Sequence, residues 1–287
     1  MTASVVVPDA LRQQAEALRA LHHADRPLVL ANAWDAASAR LFEEAGFPAV
    51  ATTSAGVAYA WGFADGEHIK RKQMLESVRR IAAAVSVPVT ADLEAGYGPG
   101  AKAVAKTVRD LIAAGAVGLN LEDARGRSRR VLLAAPVHAE RVFAAHAAGA
   151  ELGVPVVINA RTDVFHFGQP LTGQTAEAIQ RGNTYLDAGA DSVFVPFVRD
   201  RETIAQLVHG IRGPVNVLAV PGGPSVAELW ALGVRRISVG AGIARAAFGL
   251  ARRAARELHD HGTFELILEW ALPYEEMQRL FASQRGR

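Results

Sequence analysis

Eight short apolar runs recur along the chain, and the way each one begins alternates. Runs near Leu28–Ala31, Val87–Asp92, Val156–Asn159 and Val215–Leu218 start beside a proline: Pro27, Pro88, Pro155 and Pro214. Runs near Ala49–Thr52, Gly118–Leu121, Ser192–Val195 and Arg236–Val239 come shortly after a glycine: Gly46, Gly115, Gly189 and Gly233. Glycine supplies the left-handed turn that ends a helix, and proline is tolerated at the first residue of a strand. Amphipathic helical patterns fill the gaps, among them Glu67–Val85, Ala101–Ala114, Val137–Leu152, Thr175–Ala188 and Ile243–His261. Strands alternating with helices imply a parallel sheet. Four αβαβ pairs form a long-period repeat that closes into a (β/α)8 TIM barrel. The competing open sheet lacks a Gly-x-Gly-x-x-Gly turn after its first strand. The expected organisation is one barrel domain over residues 1–287, with an extra N-terminal helix before Ala24. Residues 262–287 form a C-terminal helical extension. Its Phe264, Ile267, Trp270, Tyr274, Met277 and Phe281 are too apolar for water, so it packs on a neighbouring element or another subunit.

Composition narrows the chemistry. Half of the 287 residues are apolar, which is ample for one large core. The formal charge is 31 − 29 = +2, which gives no reason to expect nucleic acid or an anionic membrane as partner. No apolar run is long enough to cross a bilayer, and no signal precedes the first helix, so the cytoplasm is the default compartment. Zero cysteines exclude disulfides, thiolate nucleophiles and Cys-based zinc sites. The four lysines, Lys70, Lys72, Lys102 and Lys106, all fall in helical patterns. A Schiff-base lysine on a barrel strand is therefore not expected.

Barrel function gathers at the C-terminal ends of strands. The second run ends in Thr52-Thr53-Ser54-Ala55-Gly56, the third in Asp92-Leu-Glu94, the fourth in Glu122-Asp123, and the fifth in Asn159-Ala-Arg161-Thr-Asp163. On a strand, Asp92 and Glu94 share a face, and two adjacent carboxylates call for a cation. Mg²⁺ suits one or two carboxylates plus water and substrate oxygens, and Mn²⁺ is the alternative ion. Each group also has a plain structural reading. Asp92 caps a helix while Glu94 is solvated; Glu122 pairs with Arg125 or Arg161; Arg161 bridges the barrel mouth; Thr53 and Ser54 turn the chain. His166 reads as a solvated residue of a mouth loop.

The segments Asp92-Leu-Glu94-Ala-Gly-Tyr-Gly, Asn120-Leu-Glu122-Asp123, Asn159-Ala-Arg161-Thr-Asp163 and Thr53-Ser54-Ala-Gly-Val resemble the isocitrate lyase/phosphoenolpyruvate mutase superfamily, in its short, mutase-like branch. The resemblance runs from Asn32-Ala-Trp-Asp35 past Gly222-Gly-Pro-Ser225. It implies a Mg²⁺-dependent enzyme acting on a small 2-oxo or 2-hydroxy carboxylate through an enolate. It also implies that Asp92 ligates the metal directly, with Glu94 and Glu122 reaching it, often through water. Arg161 then holds a carboxylate or enolate oxygen, and the Thr53–Ser54–Ala55 turn binds the substrate carboxylate. Asp65 falls where the family carries an aspartate near the reacting centre; its other reading is an N-cap for a helix starting near Glu67. A homo-oligomer, dimer or helix-swapped tetramer, is the family precedent that suits the apolar tail.

One departure stands out. Lyases of this family carry a Lys-Lys-Cys-Gly-His loop after the fourth strand, whose thiol is the acid, and the mutases and phosphonopyruvate hydrolases carry a lysine there. This chain has Arg125-Gly-Arg-Ser-Arg-Arg130, and a guanidinium is a poor general acid. The expected reaction is carbon–carbon cleavage or decarboxylation. The alternatives are a carbon–phosphorus bond enzyme and a non-catalytic 2-oxo acid binder that has lost the loop acid. A phosphate-handling barrel using Pro221-Gly-Gly-Pro-Ser225 and Gly240-Ala-Gly242 is a third reading.

Overall fold

The structure is a computed structural model and describes residues 9–126, 131–167 and 173–282. The strands in chain order are β1 (Leu28–Leu30), β2 (Asn32–Ala33), β3 (Val50–Thr52), β4 (Val89–Asp92) and β5 (Gly118–Glu122), then β6 (Ala124–Arg125) and β7 (Val131–Leu132). They continue as β8 (Val157–Arg161), β9 (Ser192–Val195), β10 (Val215–Leu218) and β11 (Arg236–Ser238). Nine of them form one sheet in the order β1-β11-β10-β9-β8-β5-β4-β3-β2. Strand β1 pairs in parallel with β11 while β2 pairs in parallel with β3. The two halves of a single stave, broken at Ala31, therefore close an eight-stave (β/α)8 barrel. The antiparallel β6–β7 hairpin after β5 had no signal in the apolar pattern.

The helices between staves follow the sequence pattern within a few residues: Gly100–Ala113, Ala135–Glu151, Gln174–Asp187 and Gly242–His261. One start is displaced. The helix expected from Glu67 begins at Arg71, because Glu67 takes a left-handed φ of 58°. Asp65 therefore does not cap that helix. The tail forms helices Glu265–Trp270 and Tyr274–Ala282. Arg40, on the helix Ala36–Glu44, holds the Leu280 carbonyl through Nε (3.2 Å) and Nη2 (3.0 Å). Phe264, Ile267, Trp270 and Tyr274 remain exposed. Among the described residues, no helix is long and apolar enough to cross a membrane.

The N-terminal helix Asp9–Leu21 packs against the barrel. A Cβ on Gly118 would lie 2.7 Å from Leu18 Cδ2 and 2.8 Å from Thr90 Oγ1, so this approach requires glycine. Gln14 donates to the Ser86 carbonyl at 3.1 Å, and Arg19 pairs with Asp191 at 2.6 Å. Just beyond the helix, His22 is buried against Leu18 O, with its Nδ1 at 2.8 Å. A second buried histidine, His138, packs edge-on to Tyr185 at 4.6 Å.

Both histidines are neutral in the folded chain. Burial, reinforced by Arg236, lowers His22 to about 3, and burial with Arg141 does the same to His138. The unfolded groups titrate near 6.5. Above about pH 6.5 both states carry the same protons, and below it the unfolded chain takes up protons that the folded chain refuses. Stability therefore falls as pH drops from about 6.5 towards about 3, by up to about 1.4 kcal/mol per pH unit for each histidine. In melts between pH 7 and 5, Tm is expected to fall more steeply for the parent chain than for His138→Leu. Equal slopes would contradict a buried neutral His138.

Candidate active site

Strand pairing brings the charged groups together. Glu122 and Arg161 are Cα partners where β5 and β8 end, so their side chains leave the sheet side by side. Arg161 Nη1 lies 3.1 Å from Glu122 Oε2. Its Nε and Nη2 reach Asp163 Oδ1 at 2.8 and 2.7 Å. The guanidinium also stands 5.6 Å above the Phe194 ring. Burial alone would lower the Arg161 pKa, but Glu122, Asp163 and Asp92 together raise it above its ordinary value. Of the two partners proposed for Glu122 from the sequence, the structure selects Arg161. Asp123 turns away, accepting from Tyr185 OH (2.8 Å), Arg181 Nη1 (3.1 Å) and the Asp163 N–H (2.9 Å). It ties the ends of β5 and β8 to the helix Gln174–Asp187.

Asp92 ends β4 facing the same space. Its Oδ2 accepts from Ser54 Oγ at 2.7 Å and from the Ser54 N–H at 3.2 Å. Its Oδ1 is buried and has no hydrogen-bond partner among the described residues. Thr53 is the N-cap of the helix Ser54–Ala60, accepting from the Gly56 N–H at 3.3 Å. The Thr53–Ser54–Ala55 turn thus spends the Ser54 amide on Asp92. Ser54 Oγ also lies 3.5 Å from Asp65 Oδ1.

Glu94 departs from the sequence reading. The strand stops at Asp92 and Glu94 takes φ 50°, so the two-residue alternation does not carry it to the same place. Its Oε2 accepts from the Glu67 N–H and its Oε1 from Tyr97 OH at 3.2 Å. Burial, then the Glu94 charge, pushes the Tyr97 phenol pKa up. Glu67 closes the loop by accepting from the Tyr97 N–H at 2.9 Å. Among the described residues no three carboxylate or imidazole side chains converge to cage a metal. The triad Asp92, Glu94 and Glu122 is therefore not assembled as a direct ligand set. The donor chemistry still fits a largely hydrated Mg²⁺, which needs only one or two carboxylates. The unpartnered Asp92 Oδ1 offers the first.

Asp92, Glu122, Arg161, Thr53, Ser54, Ala55 and Asp65 all line one cavity of about 490 Å³ at the C-terminal ends of the staves. The sequence reading missed several other wall residues: Asn32, Asn120, Phe194, Phe197, Arg199 and Arg245. Among these, Asn120 carried a signal, being a polar residue at an inward position two residues before Glu122. His166 lies in the helix Val164–Phe167, exposed but stacked on Phe197 at 4.2 Å, rather than standing alone in a loop. Ser225 forms a reciprocal cap with Glu228, accepting from the Glu228 N–H at 3.3 Å and donating to its carboxylate at 2.9 Å. That glycine-rich turn starts a helix, and the Glu228 charge opposes a phosphate there. Of the Arg125–Arg130 stretch, residues 127–130 lie outside the described residues.

The family profile described as phosphoenolpyruvate phosphomutase matches residues 18–259. An uncharacterized protein of Mycobacterium tuberculosis is 36% identical over 267 residues, covering 93% of this chain and 96% of its own. A 2-methylisocitrate lyase of Escherichia coli is 30% identical over 213 residues, covering 72% of this chain and 70% of its own. A crystal structure from Burkholderia cenocepacia, named as a lyase/mutase, superposes with a TM-score of 0.88 at 40% identity, covering 96% of this chain and 98% of the other.

Removing the central cation tests the electrostatics directly. In Arg161→Met, Glu122 and Asp163, with side chains 2% and 0% exposed, lose the guanidinium between them. Stripping one partner from a buried pair costs about 3–5 kcal/mol, and urea unfolding is expected to show a loss of that size. A loss below about 1 kcal/mol would mean that the two acids are not held as anions by Arg161.

Proposed function

Because the chain belongs to the phosphoenolpyruvate mutase/isocitrate lyase superfamily, we propose that it is a Mg²⁺-dependent lyase or decarboxylase that breaks a carbon–carbon bond in a small 2-oxo or 2-hydroxy carboxylate. The observation that carries the reading is Asp92 Oδ1, a carboxylate oxygen with no hydrogen-bond partner among the described residues, in the same cavity as the fixed guanidinium of Arg161. Asp92 would hold the cation directly, with Glu122 reaching it through water. Mn²⁺ is the alternative ion. When bound, the cation supplies Lewis acidity and a template for the substrate's oxygens.

The protein groups do the rest. Arg161 is oriented by three contacts to Glu122 and Asp163, and a guanidinium has further N–H groups to offer. These face the oxygen on which negative charge grows as the bond beside the carbonyl breaks, leaving an enolate. A preorganised donor stabilises such charge without reorganising. Asp65, beside Ser54 Oγ on the cavity wall, would exchange a proton with the departing fragment. Glu122 keeps Arg161 in register. The aromatic wall of Phe194 and Phe197 excludes water from one side. The exposed apolar residues of the tail support association into a homo-oligomer.

A second reading is supported by one specific feature. The chain has no cysteine at all, and no lysine follows β5 before Ala135. A degenerate member that binds a 2-oxo acid without turning it over would look the same.

Incubation with Mg²⁺ and oxaloacetate, 2-methylisocitrate, dimethylmalate or phosphonopyruvate separates the readings. Release of pyruvate from one of the first three is expected. It should stop when EDTA is added and fall at least about a hundredfold in Asp92→Ala. Full turnover in that variant would refute the role of Asp92. Release only from phosphonopyruvate would move the assignment to carbon–phosphorus chemistry. Mg²⁺-dependent binding without product would establish the binder.

A further inference from the structure

The interior of this barrel is unusually polar. Barrel cores are filled mainly by bulky branched residues. Here the inward positions of six staves carry Thr90, Asn120, Asn159, Ser192, Asn216 and Arg236, all buried. Arg236 is the costliest of them. It is 1% exposed, and among the described residues no carboxylate lies within ion-pair distance. Burial lowers its pKa to about 9, and Asp92 opposes that shift. An uncompensated buried cation costs several kcal/mol, so its neighbours merit a reason.

Those neighbours fix an orientation. A guanidinium only donates, so every atom it faces must be an acceptor. Arg236 Nη1 faces His22 Nε2 at 3.3 Å. That nitrogen is therefore the lone-pair side of a neutral ring, and the Nδ1–H points to the Leu18 carbonyl at 2.8 Å. Arg236 Nη2 faces the Asn120 side chain at 3.2 Å. That atom must be the amide oxygen, which also accepts from Asn159 Nδ2 at 2.9 Å. Asn159 is set in turn by Ser192 Oγ, donating to its Oδ1 at 2.7 Å. With the oxygen of Asn120 turned inward and doubly engaged, its NH₂ is left for the other side. Asn120 lines the candidate cavity, and its Nδ2 hydrogen-bonds to no described residue.

We propose that Asn120 donates from Nδ2 to an oxygen of the acid bound in the cavity, and that Arg236, seated on His22, is the positioning residue that holds the amide that way round. The proposal rests on the 2-oxo acid reading of the cavity. A chain of hydrogen bonds then runs from the N-terminal helix, through the barrel, to the ligand. The Asn120 amide adds a neutral donor to the charged one of Arg161.

The probe is oxalate, a planar mimic of the enolate of a 2-oxo acid, titrated calorimetrically in the presence of Mg²⁺. Asn120→Asp keeps the shape, gives Arg236 a carboxylate, and removes the donor. It is expected to melt no lower than the parent chain yet bind oxalate at least about tenfold more weakly. A purely structural role for Asn120 would move the two readouts together. Arg236→Met frees the amide to flip, and is expected to weaken oxalate about three- to tenfold at temperatures where the variant is folded. Should that variant fail to fold, Asn120→Asp decides alone. Parent-like oxalate affinity in Asn120→Asp would overturn the proposal and leave the reading of the cavity standing. Failure of the parent chain to bind oxalate with Mg²⁺ would overturn that reading, and the proposal with it.

Discussion

The contact on which the mouth of this barrel depends is the one between Arg161 and its flanking acids. Parallel pairing of β5 with β8 sets Glu122 beside Arg161, and Asp163, two residues further on, closes on the same guanidinium. None of these charges would be tolerable alone at such burial. Together with Asp92 they gather three carboxylates about one buried guanidinium at the barrel mouth. Under the proposed function, the carboxylate oxygen that Asp92 leaves over would take up a divalent cation, which in turn would hold an organic anion.

The same economy explains the barrel's unusual axis. A layer of amides, hydroxyls and one guanidinium replaces the customary aliphatic filling, and it is anchored by a residue outside the barrel. His22 and Arg236 are 214 residues apart, yet they meet inside the fold. The N-terminal helix is therefore part of the support beneath the site. Gly118 marks the point where its Leu18 comes closest to β5.

Much of this was legible in the sequence. Proline and glycine placed all eight staves, because each residue has a backbone reason to stand at the start of a strand or the end of a helix. Thr53, Ser54, Ala55, Asp92, Glu122 and Arg161 could be drawn to one cavity because strand ends in a closed barrel share a face, whereas Asp65, between two helices, came only from the family resemblance. Glu94 was misplaced because the alternation rule fails once a residue adopts positive φ, and non-glycine residues rarely announce that. The break at Ala31, the β6–β7 hairpin and the capture of the Ser54 amide by Asp92 depend on tertiary pairing, which leaves no local signature. The polar column was in view but unused: Gly118-Leu-Asn120-Leu, Val157-Ile-Asn159-Ala and Val215-Asn216-Val-Leu each set an amide at an inward position. What could not be seen was that Arg236 would meet them.

The most direct measurement is a crystal structure with Mn²⁺ and oxalate, in which anomalous scattering locates the metal. The expected result is a peak about 2.2 Å from Asp92 Oδ1, with oxalate bridging the metal and the Arg161 guanidinium. A cavity holding oxalate with no metal near Asp92, or a metal bound away from the β4 end, would contradict the account.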